Sequence, residues 1–186
     1  ETAIIFGNES GINQEISWLE LKTKVASLAT YLKSIGVAKG DRVVAFLPNI
    51  PEATIAFLAV NAIGAIWSST SPDFGAESVI DRFAQIEPKV LIAVDGYKYN
   101  GKPYDKSNIV NAIVNALPSL KEVLILPYLN PKALDSFPKY YKNINTIFET
   151  TSGELTFEPV GFNHPMWVLY SSGTTGLPKA IVHSHG

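Results

Sequence analysis

The sequence contains no cysteine among its 186 residues, and this absence removes several chemistries at once. Disulfide bonds, thiolate nucleophiles and cysteine-based metal sites are excluded within these residues. A sequence without cysteine also fits the reducing cytoplasm, which is the location that we predict.

A basic excess and a long hydrophobic run are missing as well. Lysine and arginine together number 15 against 17 aspartate and glutamate residues, which gives a net charge of −2. This balance does not favour nucleic acid or an anionic membrane surface as a partner. Because no apolar run is long enough to span a bilayer, we predict no membrane association and no nucleic-acid partner.

Short apolar segments of strand length alternate with segments of helical periodicity along most of the sequence. Residues 43–47 and 90–94 are continuous apolar runs, which are typical of strands covered on both faces. A capping box at Ser17 and Glu20 predicts the start of the first helix, and residues 2–16 predict an N-terminal β-hairpin before it. The sequence therefore predicts an α/β fold with a mainly parallel sheet and helices on both faces.

Other parts of the sequence predict fewer regular elements or simple surface positions. The apolar stripe of the first helix, beginning at Trp18, is interpreted as core. Residues 127–165 are interpreted as a long ordered connection, weakly helical at 144–148 and packed by aromatic side chains at Tyr140, Tyr141, Phe148 and Phe162. Residues 95–106 are interpreted as a loop, and the neighbouring charges of Asp41-Arg42 and Asp81-Arg82 as solvated surface pairs.

A hydroxyl- and glycine-rich run lies between two apolar segments near the end of the sequence. It reads Tyr-Ser-Ser-Gly-Thr-Thr-Gly-Leu-Pro-Lys and occupies residues 170–179. Gly173 and Gly176 allow positive φ and a close approach of the backbone to a ligand. Hydroxyl and backbone N–H donors, with the positive charge of Lys179, suit a polyphosphate. The spacing differs from the Walker pattern, and an ordinary Ser/Gly turn between two strands is the alternative.

The run resembles the phosphate-binding loop of the adenylate-forming enzymes, which comprise acyl-CoA synthetases, luciferases and peptide-synthetase adenylation domains. Their signature is Ser-Gly-Thr-Thr-Gly-x-Pro-Lys, and the sequence departs from many members only in having Ala180 after the lysine. The resemblance implies ATP, Mg²⁺ and coenzyme A as substrates or cofactors. It implies that the terminal phosphates of ATP are bound by Ser171, Ser172, Gly173, Thr174, Thr175, Gly176 and Lys179.

Three further segments resemble the acetoacetyl-CoA synthetases within that family more than the acetyl- or propionyl-CoA synthetases. They are residues 64–75, 162–167 and 183–186. The resemblance implies that acetoacetate is activated as an acyl-adenylate and transferred to coenzyme A, with release of pyrophosphate and AMP. An acetyl- or propionyl-CoA synthetase and a non-catalytic nucleotide-binding relative remain alternatives. From the residues alone, the hydroxyls and Asp73 of 68–75 favour an N-cap cluster for the next helix.

The three histidines, His164, His183 and His185, do not predict a metal site. His183 and His185 alternate in a strand-like segment, but two histidines without a third ligand are a poor zinc site. We predict no metal ligand and no catalytic residue among the 186 residues. The family resemblance implies that His185 lies at the start of a helix beside the acyl pocket.

The resemblance covers essentially the whole sequence, and members of the family continue for several hundred residues. We therefore expect residues 1–186 to be part of the large N-terminal domain, with the rest of that domain and the C-terminal domain outside them. The contacts to adenine, Mg²⁺ and coenzyme A are expected in those other parts, so residues 1–186 alone are expected to lack synthetase activity.

Overall fold

The computed structural model describes residues 1–11, 13–171 and 176–186. The helices are α1 (Trp18–Ser34), α2 (Pro51–Ala62), α3 (Ala76–Phe83), α4 (Ser107–Ala116) and α5 (Ile144–Thr150). The strands are β1 (Thr2–Gly7), β2 (Asn13–Ser17), β3 (Arg42–Phe46), β4 (Ile66–Thr70), β5 (Val90–Val94), β6 (Gly96–Tyr99), β7 (Lys102–Asp105), β8 (Glu122–Leu126), β9 (Lys142–Asn143), β10 (Pro165–Ser171) and β11 (Lys179–Ser184).

The described strands form one large sheet and two small antiparallel pairs. The large sheet has the order β11-β10-β4-β3-β5-β8-β9. Every neighbouring pair from β10 to β9 is parallel, and β11 alone runs antiparallel to its neighbour β10. The two small pairs are β1-β2 and β6-β7. The mainly parallel sheet and the N-terminal hairpin predicted from the sequence are therefore confirmed.

Two apolar layers cover the sheet, one on each face. In β3, Val43 and Ala45 belong to the layer that contains α1 and α2, whereas Val44 and Phe46 belong to the layer that contains α3 and α4. Successive side chains of a strand point to opposite faces, so a strand buried on both sides must be apolar at every position. This explains why residues 43–47 show no alternation of polar and apolar residues.

The first two helices begin where the sequence predicts. The hydroxyl of Ser17 accepts a hydrogen bond of 3.1 Å from the backbone N–H of Glu20, which caps α1. Pro51 occupies the first turn of α2, where its missing N–H leaves no helical hydrogen bond unmade. Within the described residues, no helix combines the length and the hydrophobicity that a membrane crossing requires.

Trp18, predicted to be core, and two of the aromatic residues predicted to pack the connection at 127–165 are exposed. Trp18 is 60% exposed because it is the first residue of α1 and the apolar stripe that packs inward begins at Leu21. Tyr140 and Phe162 are also exposed, although Tyr141 next in the chain is buried. These two residues lie in stretches without helix or strand, where periodicity gives no information about direction.

The predicted loop at 95–106 is wrong, because it contains the β6-β7 hairpin. Its two-residue turn is formed by Asn100 and Gly101, both at positive φ. Asn-Gly between two strand-forming segments is a strong hairpin signal that the sequence offered. The carboxylate of Glu9 accepts hydrogen bonds from both backbone N–H groups of this turn, at 2.8 and 3.0 Å.

The charges at Asp41 and Arg42 are structural rather than merely solvated. Arg42 donates to the carbonyls of Gly40, Ile86 and Glu87, and Asp41 forms a 2.7 Å salt bridge with Lys89. Apart from Gly40, these partners come from residues 86–89, which are distant in the sequence, so sequence neighbours alone could not show them.

Candidate functional site

The carboxyl ends of the parallel strands place three chain segments along one edge of the sheet. They are residues 47–50 after β3, residues 71–75 after β4 and the paired ends of β10 and β11, Ser171 and Lys179. Open α/β sheets bind ligands at this edge. Ser171 and Lys179, the described residues that flank the hydroxyl-rich run, therefore lie where the fold is expected to bind a substrate.

The β10-β11 hairpin brings together two of the predicted phosphate-binding residues. Ser171, the last residue of β10, pairs with Lys179, the first residue of β11. Cross-strand partners in an antiparallel pair have Cα atoms about 5 Å apart. Gly176 has φ of +118°, which strongly favours glycine. The predictions for Ser172, Gly173, Thr174 and Thr175 lie outside the described residues.

Lys179 is exposed at the start of β11 and forms no salt bridge with a carboxylate in the described part of the chain. A lysine ammonium is a compact point charge on a flexible stem. Its charge is therefore free to act on an anionic ligand at this edge.

Two hydroxyl groups that contact the β10-β11 hairpin or belong to it donate hydrogen bonds to backbone carbonyls. Ser68 of β4 is fully buried and donates a 2.7 Å hydrogen bond to the carbonyl of Val168 in β10. The hydroxyl of Tyr170 donates to the carbonyl of Arg82 near the end of α3, at 2.7 Å. Burial raises the pKa of Tyr170 to about 12, so this hydroxyl remains a donor at neutral pH. Neither contact was predicted, because they join residues that are 100 and 88 positions apart in the chain.

The segment after β4 does not cap the next helix in the predicted way. The N-cap of α3 is Gly75, and no side chain caps its first turn. Instead the hydroxyl of Ser71 donates to the carboxylate of Asp73 at 2.8 Å. Hydrogen bonds from Tyr97 and Ser71 lower the pKa of Asp73. The polar residues of this segment therefore order the loop itself and leave its edge of the sheet open.

An open cavity of about 430 Å³ lies beside this edge, between α2 and strands β4 and β10. Phe57, Trp67 and Trp167 provide aromatic walls. The hydroxyl of Thr70, a residue only 7% exposed, and the indole N–H of Trp167 have no hydrogen-bond partner among the described residues. Buried polar groups are normally paired, so these two groups are available to water or a ligand. This cavity was not predicted, because its walls come from distant parts of the chain.

His185 lies at the other end of the hairpin from Lys179. Six residues separate the two positions, which is roughly 20 Å along a strand. The backbone N–H of His185 donates to the carbonyl of His164, and the two imidazole rings are 5.9 Å apart. The structure thus does not bring His185 together with Ser171 and Lys179, the predicted phosphate-binding residues at the paired ends of the two strands. Its placement beside an acyl pocket stays a prediction.

No group of three or more histidine or acidic side chains in the described residues is arranged to hold a metal ion. Ser171 and Lys179 instead supply a hydroxyl donor and a cation, which suit phosphate oxygens.

Comparison with known proteins identifies the family to which the chain belongs. The sequence profile described as AMP-binding enzyme matches residues 1–186. The chain belongs to the AMP-binding enzyme family. The assignment of Ser171 and Lys179 to a phosphate-binding site stays a prediction.

Individual members of the AMP-binding family are similar along nearly the whole chain. The acetoacetyl-coenzyme A synthetase of Rhizobium meliloti is 43% identical over 99% of this chain and 28% of its own length. The acetoacetyl-CoA synthetase of Macaca fascicularis is 42% identical over 92% of this chain and 26% of its own length. A solved structure of acetoacetyl-CoA synthetase from Streptomyces lividans superposes with a TM-score of 0.94 at 47% identity, covering all of this chain and 28% of that one. The chain thus spans little more than a quarter of the length of these relatives.

Proposed function

We propose that this chain is part of an ATP-dependent ligase that joins acetoacetate to coenzyme A. The observation that carries the proposal is the similarity to acetoacetyl-CoA synthetases over 92–99% of the chain at about 42% identity. Residues 64–75 and 162–167 carry part of the resemblance to these enzymes. Some of these residues line the cavity beside the carboxyl ends of the parallel strands. The absence of cysteine agrees with a cytoplasmic setting for this reaction.

The proposed reaction has two steps. In the first, a carboxylate oxygen of acetoacetate attacks the α-phosphorus of ATP, and the bond to the β,γ-pyrophosphate breaks. In the second, the sulfur of coenzyme A attacks the acyl carbon of the adenylate, the thiol proton is released, and AMP leaves. The overall reaction converts acetoacetate, ATP and coenzyme A to acetoacetyl-CoA, AMP and pyrophosphate.

The role of this chain in the first step is to bind and orient the leaving pyrophosphate. The hydroxyl and backbone N–H groups of residues 171–176 would hold the terminal phosphates, and Lys179 would stabilise the negative charge that develops on them. Mg²⁺ would supply further charge neutralisation when bound, and its ligands are expected outside these residues. Coenzyme A and acetoacetate complete the set of small-molecule partners.

A comparison of short carboxylic acids as substrates tests the proposed specificity for acetoacetate. We expect the full-length protein to catalyse acid-dependent exchange between ATP and pyrophosphate with a much higher kcat/KM for acetoacetate than for acetate or propionate. A preference for acetate or propionate would instead make the protein an acetyl- or propionyl-CoA synthetase. No exchange with any of the three acids would contradict a ligase function and favour a non-catalytic relative.

Residues 1–186 alone are proposed to be a part of the large N-terminal domain, because relatives are almost four times as long. We expect this segment to lack synthetase activity and to bind ATP weakly, since it contains one side of the nucleotide site. Titration calorimetry of residues 1–186 with Mg-ATP measures this directly. Micromolar binding would contradict the proposed division of the site.

A further inference from the structure

The loop-bearing end of the β10-β11 hairpin is weakly attached to the sheet. Within the described residues, β10 pairs with β4 at a single position, where Trp167 lies opposite Trp67. The buried Ser68 hydroxyl adds a hydrogen bond to Val168, one residue further on. Beyond Val168, β10 has no ladder with β4, and β11 is the edge strand. Contacts outside the sheet must therefore fix the position of Ser171 and Lys179.

The entry side of the loop is attached to α3 through Tyr170. Its hydroxyl donates to the carbonyl of Arg82 at 2.7 Å, and its ring lies 6.0 Å from the Arg82 guanidinium. The same guanidinium lies 4.8 Å from the ring of Phe74 and donates to the carbonyl and hydroxyl of Ser78. The carbonyl of Arg82 also accepts from the backbone N–H of Ala84, so the Tyr170 hydroxyl adds a second hydrogen bond to it at the end of α3.

The exit side of the loop is attached to the same region through Gln85. The side-chain amide nitrogen of Gln85 donates to the carbonyl of Pro178 at 2.9 Å and to the carbonyl of Asp81 at 2.7 Å. Both hydrogens of that amide are therefore used, which fixes its orientation. Gln85 follows Arg82 by three residues, so the two anchoring positions lie on one face of α3 and the short helical turn after it.

Each anchored residue is the direct neighbour of a predicted phosphate ligand. Tyr170 precedes Ser171, and Pro178 precedes Lys179. We propose that Tyr170 and Gln85 are positioning residues that clamp the two ends of the phosphate loop to α3, so that Ser171 and Lys179 are held in place before ATP binds. The inference rests on the proposed function, because it requires that this loop binds the phosphates of ATP.

The clamp has a specific energetic consequence. If the two ends of the loop were not fixed, ATP binding would have to bear the conformational entropy cost of ordering them. A single hydrogen bond of this kind contributes roughly a two- to tenfold factor in an equilibrium constant. Loss of the clamp therefore weakens ATP binding and leaves the affinity for the acid unchanged.

Two single variants of the full-length protein test the clamp. Tyr170→Phe keeps the ring and removes the hydroxyl, and Gln85→Ala removes the amide. We expect each to raise KM for ATP roughly two- to tenfold in acetoacetate-dependent exchange, with a nearly unchanged KM for acetoacetate. The same variants should need proportionally more Mg-ATP for half-maximal thermal stabilisation, a measurement that does not require turnover. Tyr141→Phe is the matched control, since it removes a buried hydroxyl that bonds Asn111 far from the loop.

The outcomes separate this inference from the proposed function. If the parent protein is stabilised by Mg-ATP and both variants respond at the same concentrations as the parent, the clamp is overturned and the function stands. An equal rise in KM for ATP in Tyr141→Phe would show a general loss of stability and would also overturn the clamp. If Mg-ATP does not stabilise the parent at all, the nucleotide function itself fails and the clamp fails with it. An increase confined to Tyr170→Phe and Gln85→Ala supports the clamp.

Discussion

Replacing Lys179 by alanine in the full-length protein is expected to slow acetoacetate-dependent ATP–pyrophosphate exchange by roughly 100-fold or more. Removal of one preorganised group that stabilises transition-state charge typically has an effect of this size. Lys179 begins β11 opposite Ser171, and within the described residues no carboxylate neutralises it. Its charge is therefore available to an anionic ligand and is not neutralised by a described residue of the protein.

The two half-reactions discriminate this role from a general defect. Transfer of the acyl group from preformed acetoacetyl-adenylate to coenzyme A involves no terminal phosphates, so Lys179→Ala should change it much less than it changes exchange. Lys179→Arg retains the charge and should fall between the two proteins. Thr175→Ala, which removes one loop hydroxyl, should change exchange in the same direction as Lys179→Ala.

Lys24 offers a matched control on a different element. It lies on α1 and pairs with Glu20 at 2.8 Å, one helical turn away. Lys24→Ala removes the same side chain without touching the loop and should leave exchange unchanged. Unchanged exchange in both Lys179→Ala and Thr175→Ala would overturn the assignment of residues 171–179 as the phosphate-binding loop.

Replacing Asp95 by alanine is expected to lower the free energy of unfolding by about 3 kcal/mol or more. Asp95 follows β5, is only 3% exposed and accepts three backbone hydrogen bonds with its carboxylate. The donors are the N–H groups of Tyr128, Leu129 and Asn130, at 2.7, 2.9 and 2.7 Å. Removing the carboxylate leaves these donors without the partner that fixes the chain after β8.

The two acceptor oxygens of the carboxylate predict a graded loss of stability in a series of Asp95 variants. One oxygen of Asp95 accepts from Tyr128 and Leu129, and the other accepts from Asn130. Asp95→Asn keeps one acceptor oxygen but presents an NH₂ group to the remaining donor, so we expect an intermediate loss. Asp105→Ala is the control, because that exposed carboxylate accepts one hydrogen bond, from Ser107.

Urea unfolding of the full-length variants measures the loss, and amide hydrogen exchange at residues 128–130 reports its location. Faster exchange confined to these residues in Asp95→Ala is the expected pattern. Equal stabilities of Asp95→Ala and Asp105→Ala would contradict the structural role of the three hydrogen bonds.

The sequence predicted those parts of the fold that depend on local chemistry. The apolar runs of β3 and β5 and the proline at the start of α2 were read correctly, because burial on both faces and a fixed φ leave direct traces in composition. Trp18 was wrongly predicted to be buried. Periodicity identifies an apolar stripe on a helix, but it does not show where along the helix other elements begin to pack against that stripe.

The motif of the candidate site was predictable from the sequence, but the residues that hold this motif in position were not. Ser171 and Lys179 belong to a contiguous signature, whereas Tyr170 and Gln85 act through partners 88 and 93 residues away. Such contacts depend on the angle at which α3 packs beside the hairpin. Arg82 was accordingly interpreted as a solvated surface charge, although it lies between two aromatic rings.

The position of β11 at the edge of the sheet also affects how residues 1–186 behave in solution. Its outward backbone N–H and C=O groups have no strand partner in the described part of the chain, and Ile181 and Val182 are exposed beside them. An uncovered, apolar edge strand is a template for pairing with a second copy. The isolated segment is therefore expected to self-associate edge to edge as its concentration rises. Lys179 is the one lysine or arginine on this strand, so removing it should strengthen that association.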